Sequence, residues 1–206
     1  NYGHEIHWWV GFFSESGIRC AVLIAVTGRL MVEIEKLFET LLSLQKHKRL
    51  PPLEQWQPAK RGQVDIRIDR EGRWFHEGDQ IKRQPLIDLF ATLLRKEVDD
   101  YYLVTPVEQM QIEVEDVPFV VIDMDVRGHA ENTDLLFTTN VGDYVLADAA
   151  HDVFMLGDTP YFSVRDNLLA RIQRSVFYRL VEVGIERQGR LWAYSQGAGF
   201  NLGSLT

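Results

Sequence analysis

A single cysteine, Cys20, among 206 residues excludes an intramolecular disulfide and any multi-cysteine zinc centre. That usage fits a reducing compartment, and the cytoplasm is the expected location. Positive charge is also scarce. With 22 Lys and Arg against 30 Asp and Glu, the net charge of -8 argues against broad attraction to a nucleic-acid polymer or an anionic membrane. No uninterrupted apolar run reaches the ~18 residues of a membrane-spanning helix. Trp8-Trp9-Val10 and the stretch from Cys20 to Val26 are kept apart by Ser14, Glu15, Ser16 and Arg19. Nucleophile and phosphate-loop signatures are missing, because neither a Gly-x-Ser-x-Gly elbow nor a Gly-Lys-Ser/Thr run occurs. His4-Glu5-Ile6-His7 lacks zinc-peptidase spacing. In His76-Glu77 and His151-Asp152, strand neighbours would point to opposite faces and could not act as a base with its orienting carboxylate.

What the chain does have is 46% hydrophobic residues, ample for a folded core. Residues 1–30 read differently from the rest, and the expectation is a leader translated from a misplaced start that packs poorly. From Met31 to Lys48, Ile34, Leu37, Phe38, Leu41 and Leu42 form an amphipathic helical stripe, which Pro51-Pro52 ends. Residues 51–58 form an extended connector carrying Leu53 and Trp56.

A local grammar then appears twice. Val64, Ile66 and Ile68 alternate with charged residues, Asp69 to Gly72 supplies a turn, and Arg73 to Glu77 returns as a partner strand. Pro85 marks the first turn of a helix whose buried face is Leu86, Ile87, Leu89, Phe90, Leu93 and Leu94, and Tyr101 to Val104 is the next strand. In the second copy Phe162 and Val164 pair across Arg165-Asp166-Asn167 with Leu168, Ala170 and Ile172. Ser175 then caps a helix burying Val176, Phe177, Leu180, Val181 and Ile185, and Leu191 to Tyr194 follows as a strand. Between the copies, Ile112 to Glu115, Val117 to Val126, Leu135 to Thr139 and Tyr144 to Leu146 read as strands, the last two flanking the turn Asn140 to Asp143. Gly197, Gly199 and Gly203 read as a flexible tail.

The predicted fold is therefore α+β: two small domains built on a repeated β-hairpin–helix–strand motif, with an interdomain cleft. The boundaries are residues 31–109 for the N-terminal helix and first domain and 110–206 for the second, divided near Met110. No Pro/Gly/Ser-rich linker separates them.

The run from Gly62 to Gly78 with Ile81, Arg83, Leu86, Leu89 and Phe90, then Tyr102 to Glu108 and Val114 to Phe119, resembles a bacterial family known as domain of unknown function 1285. The similarity covers Met31 to the C-terminus. It implies a two-domain α+β protein with repeated motifs, no established activity, and an interdomain cleft suited to a nucleotide-like ligand, with signalling as the implied setting. Gln109 departs from the basic residue the resemblance implies at that position.

Each copy sets basic side chains ahead of its helix, Lys82 and Arg83 in the first and Arg171 and Arg174 in the second. Helix N-termini attract anions, so these point to a phosphate or carboxylate site; solvated strand-end residues are the alternative. Trp74 and Tyr102 are candidate stacking rings with Arg67 as cation support, and strand aromatics serve equally as core. Thr105 and Glu108 supply polar contacts or merely brace a turn. The resulting expectation is a non-enzymatic protein that binds a small anionic, nucleotide-like ligand through Arg67, Trp74, Arg83, Tyr102, Thr105, Glu108 and Arg174, with no cofactor and no metal. One alternative is a metal-dependent hydrolase or transferase acting on a phosphorylated metabolite, using Asp123 and Asp125 with His129, Glu131 and Asp134 nearby. Another is a protein-interaction module.

Overall fold

The structure, a computed structural model, describes residues 50–204. The leader expected over residues 1–30 and the helix expected over 31–48 lie outside the described residues.

Strand β1 (Lys60–Ile68) buries Ile66 and Ile68 on one face, as the alternation requires. Gly72, at φ +74°, completes the turn into β2 (Trp74–His76), which sets Trp74 opposite Ile68. After β3 (Asp79–Gln80), Pro85 lies in the first turn of α1 (Gln84–Thr92), which buries Leu89, Phe90 and Ala91. The helix is shorter than its apolar spacing predicts. Leu93 caps it and Leu94 opens β4 (Leu94–Glu97), a strand hidden because two buried leucines fit a helical stripe as well as a sheet. A hairpin through Val98, at φ +56°, leads to β5 (Asp100–Val104) and then β6 (Glu108–Val114). The first sheet runs β3-β2-β1-β6-β5-β4, with β6 parallel to β1. Parallel neighbours need a long crossover, and α1 lies within it. Met110 sits inside β6.

The second sheet runs β10-β11-β12-β7-β8-β9. It comprises β7 (Phe119–His129), β8 (Asn132–Thr139), β9 (Tyr144–Leu146), β10 (Val153–Leu156), β11 (Thr159–Arg165) and β12 (Leu168–Ile172), with β12 parallel to β7. Helix α2 (Arg174–Glu182) has Gln173 at its N-cap, two residues before the expected cap Ser175, and buries Val176 and Leu180. Ile185, expected on its buried face, instead opens β13 (Ile185–Arg187). The described residues end in an antiparallel β13-β14-β15 sheet with β14 (Arg190–Ser195) and β15 (Ala198–Ser204). The expected flexible glycine tail is thus a strand: Phe200 and Leu202 are buried, and this apolar pair holds β15 down despite its glycines.

With two nine-residue helices among the described residues, the fold is two sheet-rich domains, mostly β. Trp74 anchors the first core, 5.9 Å from Phe90, while Phe137 and Phe162 meet at 4.7 Å in the second. Burying each such ring contributes about 1.5–3 kcal/mol. No described helix is long and apolar enough to cross a membrane.

Candidate functional site

Polar side chains cross the junction between the two sheet-rich domains. Asn140, in the β8–β9 turn, accepts the Val120 N–H at 3.0 Å and donates to the Gly72 carbonyl at 3.0 Å. Arg165, at the end of β11, donates to Asp143 at 2.9 Å and to the Ala91 carbonyl at 2.6 Å, satisfying the C-terminal end of α1. Its guanidinium lies 5.1 Å from the Phe119 ring centre. Tyr161 donates to Asp116 at 2.9 Å, and Arg171 donates to the Arg70 carbonyl.

The seven expected ligand residues do not converge. Lys60 stands opposite Glu108 at one end of β1, and Ile68 stands opposite Trp74 at the other. Eight residues of strand separate those ends by roughly 25 Å. Trp74 is fully buried against Phe90, so it is core and offers no face for stacking. Arg67 pairs with Glu115 and lies 4.4 Å from the Phe75 ring centre. Thr105 and Glu108 close the β5–β6 turn: the Thr105 hydroxyl accepts the Glu108 N–H at 3.0 Å and donates to the Glu108 carbonyl at 3.1 Å. The buried Glu108 carboxylate takes Lys60 at 2.6 Å. Tyr102 is half-buried in β5 across from Gln111. Arg83 and Arg174 are exposed, at the N-cap of α1 and the first turn of α2. Of the acidic strand, Asp123 is exposed and takes Arg179 at 2.5 Å. Among the described residues no three His, Cys, Asp or Glu are placed to hold a metal ion.

A groove of about 530 Å³ opens elsewhere, on the outer face of β13–β15, lined by Arg187, Gln188, Arg190, Trp192, Tyr194 and Gly199. The local sequence builds it directly. Gln188 and Gly189 adopt φ +54° and +74°, the left-handed pair of a two-residue hairpin turn, so Arg187 and Arg190 become cross-strand partners. Period-two alternation then places Arg190, Trp192 and Tyr194 on one face, while Ala193 and Ser195 are buried on the other. The Ser195 hydroxyl accepts the Leu135 N–H at 3.0 Å, and Gln196 donates its N–H to the Thr133 carbonyl at 3.1 Å, pinning the hairpin to β8. Opposite Tyr194 stands Gly199. A Cβ there would come within 3.0 Å of Tyr194 Cε1 and 3.6 Å of Trp192 Cε3, so both rings lie over the glycine. The Arg187 guanidinium sits 5.4 Å from the Tyr194 ring centre and pairs with Glu131 in the β7–β8 turn. The readable signal was Arg187-Gln188-Gly189-Arg190 followed by alternating aromatics.

Two sheet-rich domains in tandem, mostly β, define the class of the molecule. Residues 51–117 match the DUF1285 N-terminal domain, described as a domain of unknown function, and residues 118–202 match the DUF1285 C-terminal domain. The chain belongs to the DUF1285 family. It is similar to the crystal structure of a DUF1285 family protein from Silicibacter pomeroyi DSS-3, with 39% sequence identity and a TM-score of 0.74, covering 77% of this chain and 90% of that one. A DUF1285 family protein from Shewanella baltica OS155 is 26% identical with a TM-score of 0.48, covering 57% of this chain and 90% of that one. No curated protein matches.

Proposed function

We propose that the protein is a non-enzymatic binding protein for a small, planar, anionic ligand of nucleotide type, held in the β13–β15 groove and serving in sensing. The observation that carries this is the pairing of Arg187 with Arg190 across a two-residue turn beside Trp192 and Tyr194. Like charges directly opposite one another on a sheet are destabilising. The Glu131 pair and the Tyr194 ring offset part of that cost for Arg187, and two cations held beside two rings suit a functional position. The lining groups suit such a ligand, with an indole and a phenol for stacking a ring, and guanidinium groups that bind carboxylate or phosphate through forked donors. The lining holds no imidazole or thiol, and the carboxylate at its edge, Glu131, is held by Arg187. The groove therefore offers attraction and shape rather than proton transfer at neutral pH.

The test is calorimetric titration of the full chain with adenosine 5′-monophosphate, in the presence of EDTA and then of Mg²⁺. Metal-independent binding that weakens at least tenfold in both Arg190→Ala and Trp192→Ala supports the proposal. Binding that both variants retain would place the ligand elsewhere, and magnesium-dependent turnover would make the protein an enzyme.

A further inference from the structure

We infer that Glu131 is a built-in competitor for the groove: its carboxylate occupies the Arg187 guanidinium, and the anionic group of the ligand takes its place. The inference rests on the binding reading above and deepens it by naming the determinant that sets affinity.

Arg187 belongs to β13, yet its guanidinium is found at the Tyr194 ring and the Glu131 carboxylate. Its direct cross-strand partner is Arg190, four residues before Tyr194 on β14. The side chain therefore lies along the groove, with its charged end at the Tyr194 ring. Glu131 comes from the β7–β8 turn, outside the three-stranded sheet, and it delivers to the groove a negatively charged, planar, two-oxygen acceptor. That is the group a forked guanidinium binds best, whether offered by a side chain, a carboxylate ligand or a phosphate monoester.

Both partners are about half exposed, Arg187 at 52% and Glu131 at 53%. An ion pair so placed is worth little, so an incoming anion can replace it at small cost. Replacement does more than exchange one acceptor for another. The Arg187 charge remains over the ring beside which a base would stack, and Arg190 can then share the same anion. An uncharged ring gains neither contact. The groove therefore selects a ligand that joins a flat ring to a carboxylate or phosphate, and Glu131 lowers its affinity by competing for the same cation.

The experiment compares the full-length wild type, Glu131→Gln, Arg187→Ala and the double variant in calorimetric titrations. The probes are adenosine 5′-monophosphate, adenosine and inorganic phosphate, with an eight-nucleotide oligothymidylate as a polymer control. Glu131→Gln should tighten nucleotide binding by about two- to fivefold, the range set by an exposed pair, and leave adenosine unchanged. The gain should disappear in the double variant, where the cation in dispute is missing. Wild-type binding that Glu131→Gln leaves unchanged or weakens would overturn the competition while the groove reading stands. Absence of nucleotide binding in both proteins, with unaltered melting, would overturn both. Much tighter binding of the oligonucleotide than of the mononucleotide would replace the small-ligand reading with a strand-binding one.

Discussion

Asn140 Nδ2 donates to the carbonyl oxygen of Gly72 at 3.0 Å, a contact that spans 68 residues of sequence and joins one sheet-rich domain to the other. The same side chain accepts the Val120 N–H at 3.0 Å, so one amide satisfies a donor and an acceptor in different domains. Its partner glycine is equally constrained. At φ +74°, a Cβ on residue 72 would stand 2.6 Å from Asn140 Nδ2 and 2.9 Å from Val120 Cγ2. Asn140→Ala strands both backbone groups and should cost about 2–4 kcal/mol of unfolding free energy in urea. Gly72→Ala should cost at least about 1 kcal/mol through strain alone, and more through the clash. Because the two residues share one contact, the double variant should lose less than the sum. Strict additivity would show that the contact does not couple the domains.

Asp69 ties the turn that presents Gly72 to this junction. Its carboxylate accepts the N–H of Glu71 at 3.0 Å, the N–H of Arg73 at 2.8 Å and the Arg73 Nε at 2.7 Å. Burial pushes the carboxyl upward, but the Arg73 and Glu71 hydrogen bonds with the Arg73 charge outweigh it and hold Asp69 below its ordinary 3.8. A carboxyl depressed in the folded state protonates first in the unfolded one. Its contribution is therefore complete above the ordinary carboxylate range and lost as pH falls through the depressed value. Asp69→Asn should be less stable than the wild type at pH 7 by about 1–2 kcal/mol, and the gap should narrow in urea melts taken between about pH 5 and pH 2. A gap that is constant with pH would show that charge has no part in the turn.

The strands around these contacts were legible because their cores alternate. Ile66 and Ile68 in β1, Phe162 and Val164 in β11, and the Asn140 to Asp143 turn all stand where period-two reasoning puts them. Helix ends were not, since Leu94 and Ile185 satisfy a helical stripe until a sheet claims them, and Leu93 only caps α1. Single-residue roles were harder still. Trp74 and Arg67 look alike to composition as ring and cation, yet burial makes one core and an ion pair with Glu115 occupies the other. Thr105 and Glu108 fit either a site or a turn by residue type, and the hydroxyl's two bonds to the Glu108 backbone account for both as turn. The groove is hard to read from sequence because the Gln188-Gly189 turn separates Arg187 from Arg190 and from both rings. Only the left-handed pair Gln188 and Gly189 folds Arg187 back against Arg190.

Gln109 shows how a buried polar group can be poorly served at the centre of a sheet. It is fully buried, and its Oε1 accepts Arg95 Nη2 at 2.7 Å. Because a guanidinium only donates, the amide oxygen must face it, which turns Nε2 toward surroundings that provide no acceptor among the described residues. An unmet buried donor costs about 1–3 kcal/mol. Gln109→Glu replaces that donor with a second acceptor and makes the bond to Arg95 charge-assisted. Two terms oppose the gain: Glu97 already takes Arg95 at 2.7 Å, and a buried carboxylate must be desolvated. The removed orphan and the added charge act on one already positioned pair, so the balance should favour the variant by about 1 kcal/mol at pH 7 in urea unfolding. That advantage should vanish in acid as the new carboxyl protonates and becomes a donor again. A variant less stable than the wild type at neutral pH would mean that an ordered water already accepts from Nε2 and that the carboxylate expels it.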